Sequence, residues 1–356
     1  MRRTTYIITL LFSLLILTAY SCDEEENASL VLSASELTLS VGETATLSIV
    51  EAPSISESVV WSSDNETVAS VFFGEVTALN SGTAIITVQM GDYTATCEIT
   101  VPERNYELVW SDEFDGTELN ADNWSIEVNG NGGGNNEKQY YTDRSDNLRI
   151  EDGMLVIEAK KESYESKEYT SARIKTADLQ EFAYGKVEVR LKVPSGTGTW
   201  PAFWMLGNEG GWPDAGEIDI MEHVGYDPNT FHCALHTANK NGLNGQNFSS
   251  EQELDEAAAN DFHIITMEWT EQETNGYDRI HIYVDGVKTT TFAETAQLQA
   301  SGDWPFNKPF YFIINLAIGG NWGGADTSVF PTGIDDSIFD SQVLYQVDYV
   351  RVYQLQ

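Results

Sequence analysis

The chain has 356 residues, of which 56 are acidic and 19 basic, giving a net charge of −37. That length accommodates a large domain and a smaller partner, and 41% hydrophobic residues are ample for a buried core. The charge and the absence of Lys/Arg clusters exclude nucleic acid, whose phosphates need basic groups. They also disfavour anionic membranes and polyanionic substrates, while a neutral partner remains compatible.

Residues 1–22 read as an export signal. Arg2 and Arg3 open it, Tyr6 to Ala19 is mostly apolar, and Ser21-Cys22 follows. The apolar run is short for a membrane span, which takes about 20 residues. The segment resembles a bacterial lipoprotein signal, although Ala19 and Tyr20 depart from its preferred Leu and small residue. The resemblance implies a lipid on Cys22, followed by an acidic tether over residues 23–29 that begins Asp23-Glu24-Glu25-Glu26. The expected location is therefore outside the cytoplasm, lipid-anchored at the cell surface or outer membrane, or otherwise secreted. The anchor would be the only membrane contact. Cys97 and Cys233 are left, in different units and in strand-like text, and read as buried reduced thiols. No spacing suggests zinc.

Residues 30–101 read as a small all-β unit, with short alternating runs broken by Gly42, Asn65, Gly74 and Gly82. Val60-Trp61-Ser62-Ser63, Val68-Ala69-Ser70-Val71, Gly74-Glu75-Val76-Thr77-Ala78 and Gly82 to Val88 resemble a bacterial immunoglobulin-like repeat (group 2), a small β-sandwich whose usual role is a spacer. Residues 102–106 form the linker. From residue 107 to 356 the text is almost entirely strand-like. Gly185 to Val193 alternates strictly, similar patterns recur at Met154 to Glu158, Arg279 to Val284 and Val347 to Tyr353, and one stretch, Glu251 to Asn260, reads as helix. Many strands with glycine-rich turns predict an all-β sandwich or barrel.

The informative segment is Gly216-Glu217-Ile218-Asp219-Ile220-Met221-Glu222-His223-Val224-Gly225. Alternation puts Glu217 and Asp219 on one face and Ile218 and Ile220 in the core. Glu222, five residues after Glu217, would face the core in a regular strand, where a bare carboxylate is costly. A β-bulge near Ile220-Met221 restores it to the face of the other two. Three acids in a row repel and raise one another's pKa, and stability gives no reason for them. Glycosidic cleavage does, since it needs one ionised and one protonated carboxylate. Four strand steps span ~13 Å, and inward lean of ~4 Å per Glu would bring the carboxylates to ~5 Å, the retaining separation.

This segment resembles the active-site strand of glycoside hydrolase family 16, in the bulged form of the laminarinases. The resemblance extends over roughly residues 107–356. It includes Trp110-Ser111-Asp112-Glu113-Phe114, Tyr169 to Arg173, Thr199-Trp200-Pro201-Ala202-Phe203-Trp204-Met205-Leu206, Asn315 to Gly320 and Asp348 to Tyr353. It implies a concanavalin-like β-jelly-roll sandwich with a long cleft. Glu217 would be the nucleophile, Glu222 the acid/base and Asp219 the assisting acid; local physics alone does not assign the two glutamate roles. Glu222 is expected to carry the raised pKa while Glu217 stays ionised.

Trp200, Ala202 and Trp204 share a face opposite Phe203 and Met205, so the two indoles are expected to be partly exposed as platforms for sugar rings. Trp212 lies just before the acid strand and is expected to contact sugar too, whereas Trp269 reads as core. By the same resemblance Arg173 is a substrate-binding candidate; His236, which shares a strand face with His232 opposite Cys233 and Leu235, is expected to reach the cleft, and Asn136 and Asn315 are further candidates for binding sugar hydroxyls. Glu113, a carbonyl near Gly153, and Asp348 would hold a structural calcium through oxygen ligands; from the residues alone, two unrelated surface acids fit equally well. Catalysis itself would need no cofactor. The function implied is a retaining endo-β-1,3-glucanase, monomeric, acting on β-glucan polysaccharide. Mixed-linkage glucanases and galactan hydrolases share the fold, and a glycan-binding lectin is the non-enzymatic alternative. A lectin would need the tryptophans but not the acids.

Overall fold

The computed structural model describes residues 29–274, 276–324 and 333–356. Cys22, the export signal and all of the tether except Ser29 lie outside the described residues. Among the described residues no helix is long and apolar enough to cross a membrane.

Two separate cores divide the chain. The first gathers Ala69, Val76, Ile86, Val88, Cys97 and Ile99, all fully buried, from the early strands. Its four-stranded sheet runs Glu36–Thr38, Tyr93–Val101, Gly82–Met90, Val59–Ser63, and its three-stranded sheet Thr44–Thr46, Glu75–Ala78, Ala69–Phe72. Alternation produces this packing: along Gly82–Met90, Ala84, Ile86 and Val88 face inward and their neighbours outward. The second core begins with Phe114 and Trp124 and continues to Val352. The first core ends at Val101 and the buried residues of the second start at Phe114.

The larger unit packs a ten-stranded sheet against a seven-stranded one. In the ten-stranded sheet, Gly185–Lys192 alternates buried and half-buried residues over its whole length. Val187, Val189 and Leu191 are at most 2% exposed, each contributing ~1.5–3 kcal/mol through burial. The seven-stranded sheet runs Ser125–Ile126, Arg173–Lys175, Phe310–Ile318, Thr199–Gly207, Glu217–Glu222, Thr230–His236, Phe248–Glu253. It faces the ten-stranded sheet through Phe203, Met205, Ile218, Leu235, Phe312 and Ile314. The chain closes on itself, for Tyr106–Asp112 pairs antiparallel with the last strand, Val343–Leu355, and Gln356 N donates to Asn105 O at 3.0 Å. Arg104, in the linker, forms ion pairs with Glu273 and Glu268 of the ten-stranded sheet.

The helix expected over Glu251 to Asn260 is not there. Phe248–Glu253 is an edge strand paired with Thr230–His236, and the alanines that follow lie in turns. Sheet pairing outweighs a helix propensity of a few tenths of a kcal/mol per residue. The longest helix among the described residues is Ala296–Ser301, where the Thr295 hydroxyl accepts from Leu298 N and Gly302 ends the turn at φ 70°. Cys97 and Cys233 are free and buried, as expected.

Candidate active site

The bulge lies where the odd spacing requires it. On one side Ala202, Phe203 and Trp204 pair with Glu222, Met221 and Asp219, skipping Ile220. On the other side His232 pairs with Glu222 and Ala234 with Asp219. Ile218, Ile220 and Met221 are at most 1% exposed and belong to the core. Glu217 and Glu222 are partly exposed and Asp219 is 4% exposed between them. One extra residue thus gives three acids a common face.

His236 pairs with Glu217 across the sheet. Its Nε2 lies 3.1 Å from Asp219 Oδ2 and 3.6 Å from Glu217 Oε1. Its Nδ1 accepts a hydrogen bond from Gly242 N at 3.0 Å, so the ring proton is on Nε2, facing the acids. Glu217, Asp219 and His236 offer ligand atoms within 4.8 Å of one another, a spacing that would also suit a cation. A cation would need the Nε2 lone pair, which that tautomer withholds. The cluster is organised for protons.

Burial pushes Asp219 up to about 8. Burial, then the Asp219 charge, pushes Glu222 up to about 8, against the hydrogen bond from Trp200 and the pull of His236. Glu222 therefore carries its proton at neutral pH, as an acid catalyst must. Glu217 departs from expectation. Burial and Asp219 raise it well above the ordinary carboxylate range, and His236 and Arg173 only partly oppose this. The three acids hold protons as a group rather than splitting cleanly into one ionised and one neutral member.

Trp200 and Trp204 share the predicted face, away from Phe203 and Met205, but their environments differ. Trp200 is only 9% exposed, contrary to expectation, packed with Val224, Ala317 and Trp322. Its Nε1 donates to Glu222 Oε1 at 2.9 Å. Trp204 is partly exposed, with the Arg173 guanidinium 4.9 Å over its ring, and Arg173 also pairs with Glu127 at 3.1 Å. Trp212 is 41% exposed, its ring 6.4 Å from that of His236. Trp269 is core, 1% exposed. Asn315 is 6% exposed and spends its amide within the protein. It accepts from Trp204 Nε1 at 2.7 Å and donates to the Tyr141 hydroxyl at 3.2 Å. Asn136 is exposed and donates to Asn321 Oδ1 at 2.7 Å.

The sequence reading missed Trp322, which is partly exposed and edge-on to Trp200 at 5.4 Å and His232 at 4.9 Å, and Tyr226 beside it. An aromatic just beyond the Asn315 to Gly320 run was the available signal for Trp322. The backbone brings the segments expected at the calcium site to one strand. Residues 348 and 349 lie between the Leu155↔Val347 and Asp112↔Val350 pairings, which places Glu113 and the Gly153 turn on either flank. Each acid has an arginine, however. Arg351 holds Glu113 through two bonds of 2.9 and 2.8 Å, lowering its pKa, and Arg190 donates to Asp348 Oδ2 at 2.6 Å. Both carboxylate oxygens of Glu113 are thus engaged by Arg351.

A jelly-roll sandwich with paired acids, a proton-bearing imidazole and indoles on one open sheet face defines a carbohydrate-cleaving hydrolase. Comparison with known proteins agrees. Residues 135–332 match glycosyl hydrolases family 16, and residues 28–101 match the bacterial Ig-like domain (group 2). A β-glucanase of Rhodothermus marinus is 43% identical over 260 residues, covering 70% of this chain and 86% of that one. The X-ray structure of the laminarinase from Rhodothermus marinus superposes with a TM-score of 0.63 at 42% identity, covering 71% of this chain and 99% of its own. That of the laminarinase from Flavobacterium sp. UMI-01 gives 0.60 at 41%, covering 70% and 100%. The chain belongs to glycosyl hydrolase family 16 and is a glycoside hydrolase.

Proposed function

We propose that the protein is a retaining endo-β-1,3-glucanase that hydrolyses laminarin-type glucans by double displacement. The observation that carries the reading is the bulged strand, with Glu217, Asp219 and Glu222 on one face and the Trp200 indole bonded to Glu222. The names of the relatives, β-glucanase and laminarinase, support the substrate class. Glu222 gives its proton to the leaving oxygen while Glu217, in its ionised form and facing the Nε2–H of His236, bonds to the anomeric carbon. Glu222, now a base, takes a proton from water, which attacks the same carbon and breaks the glycosyl–Glu217 bond. Two inversions retain the β-configuration, and no cofactor is needed. Proton NMR of the first product from laminarin should show the β-anomer; initial α-anomer sinks the reading. Parallel digests of lichenan, agarose and carrageenan separate it from mixed-linkage and galactan hydrolysis.

Three further parts of the proposal concern the whole chain. Cys22 is lipidated and anchors a monomeric enzyme at the cell surface, with the Ig-like unit as spacer. That unit, residues 30–101, contains no Lys, Arg or His, which suits a solvated spacer better than a binder of anions. A structural calcium sits at the Gly153 turn, held by Asp348 and backbone carbonyls, with Glu113 left to Arg351. Oxygen-only donors suit that ion.

A further inference from the structure

Glu137 lies outside the acid cluster and is 4% exposed. Its Oε2 accepts from Gln139 Nε2 at 2.6 Å and from the Tyr141 hydroxyl at 3.0 Å. The backbone is fitted around this carboxylate. A Cβ on Gly133, at φ 57°, would fall 2.1 Å from Glu137 Oε1, and one on Gly320 would fall 3.3 Å from Glu137 Cγ and 3.4 Å from the Trp200 ring. A carboxyl group is costly to bury without partners, and these two donors satisfy this one.

The hydrogen bonds have a direction. The Tyr141 hydroxyl donates to Glu137 Oε2 at 3.0 Å, so its proton points at Glu137. The phenol oxygen is then left to accept, which it does from Asn315 Nδ2. That fixes the Asn315 amide with its carbonyl towards Trp204, whose Nε1 can only donate. Without the carboxylate, Tyr141 could donate to Asn315, the amide would turn over, and an NH2 would meet the indole N–H. Arg173, on the strand paired with Asn315, rests on the face of the same indole.

We propose that Glu137 is a positioning residue for the sugar platform, setting the orientation of Trp204, and with it Arg173, through Tyr141 and Asn315. The inference rests on the glucanase reading of this face. It assigns a role in binding to a residue that touches neither substrate nor the reacting atoms.

The test is a double-mutant cycle in the full chain, with a soluble β-1,3-glucan oligosaccharide as substrate. Tyr141→Phe keeps the ring and removes the link; Glu137→Gln replaces the carboxyl with an amide that can turn its NH2 to the phenol. Loss of the ordered donor should raise KM by ~5-fold or more in each variant, with kcat within about twofold. The double variant should be hardly worse than either single one, because the carboxylate acts through the phenol. Unchanged KM in a folded Tyr141→Phe, equal losses in kcat and KM, or fully additive effects would each overturn the proposal. If Glu137→Gln does not fold, Tyr141→Phe alone decides, through its KM-against-kcat split and a melting curve matching the parent's. Failure of the glucanase reading is distinguishable, because the parent enzyme would then not turn over the oligosaccharide at all.

Discussion

Substituting Glu222 by Gln should stabilise the protein while abolishing its activity, and the gain should depend on pH in a defined direction. Burial and the Asp219 charge raise Glu222 to about 8 from the usual 4.5. For an acid raised on folding, ionisation is penalised only in the native state. Below pH 4.5 both states are protonated and nothing is lost; stability then falls as pH rises from 4.5 towards 8. At pH 7 the full shift would cost roughly 3 kcal/mol. Glu222 is partly exposed, so solvent reduces this to ~1–2 kcal/mol. Gln keeps an oxygen for the Trp200 indole and removes the penalty. Calorimetric melts at pH 4, 6 and 8 should show Glu222→Gln level with the parent at pH 4 and ~3–6 °C above it at pH 8. A constant difference across that range, or a lower Tm at pH 8, would refute the claim that burial strains this carboxylate.

Trp200→Phe removes a hydrogen bond that favours the ionised form of Glu222, so the alkaline limb of the kcat profile should move to higher pH; a limb that stays in place would disconnect the indole from the acid. Glu222→Ala should slow poor leaving groups most, and azide should partly restore turnover of an activated β-glycoside as a β-glycosyl azide. Recovery of the α-azide would contradict a covalent intermediate on Glu217. Dialysis against EDTA should lower Tm if calcium holds the Gly153 turn to Asp348, and calcium should restore it by mass action. Coincident melting curves would remove the ion from the proposal.

What could be read in advance was what local periodicity encodes. The five-residue step from Glu217 to Glu222 conflicts with a period of two, and the conflict located the bulge before any coordinates. The same rule separated Trp204 from Phe203. What could not be read depended on partners far away in sequence. Glu251 to Asn260 looks helical by composition, but its first residues are claimed by the Thr230–His236 strand. Glu113 faces Arg351, 238 residues away, and Asn315 faces Tyr141, 174 residues away. Nothing in their own neighbourhoods announced those bonds. Trp200 was placed on the right face, but its burial depends on Trp322, from the short helix Gly320–Gly323. The protonation of Glu217 likewise depends on how deeply the sheet buries all three acids together.

The pairing of Tyr106–Asp112 with Val343–Leu355, closed by the bond from Gln356 to Asn105, makes the hydrolase unit a module with a single attachment point. Its two ends emerge side by side, both from the ten-stranded sheet, whereas the acids and indoles lie on the seven-stranded one. A further unit spliced on at either end would hang from that same back corner, without threading past the working surface. Such a layout lets accessory units be added, exchanged or lengthened while a long polymer still has free passage across the active face. It also predicts that a circular permutant joining residues 105 and 356 through a short loop, opened in an exposed turn of the back sheet, would keep its hydrolytic activity.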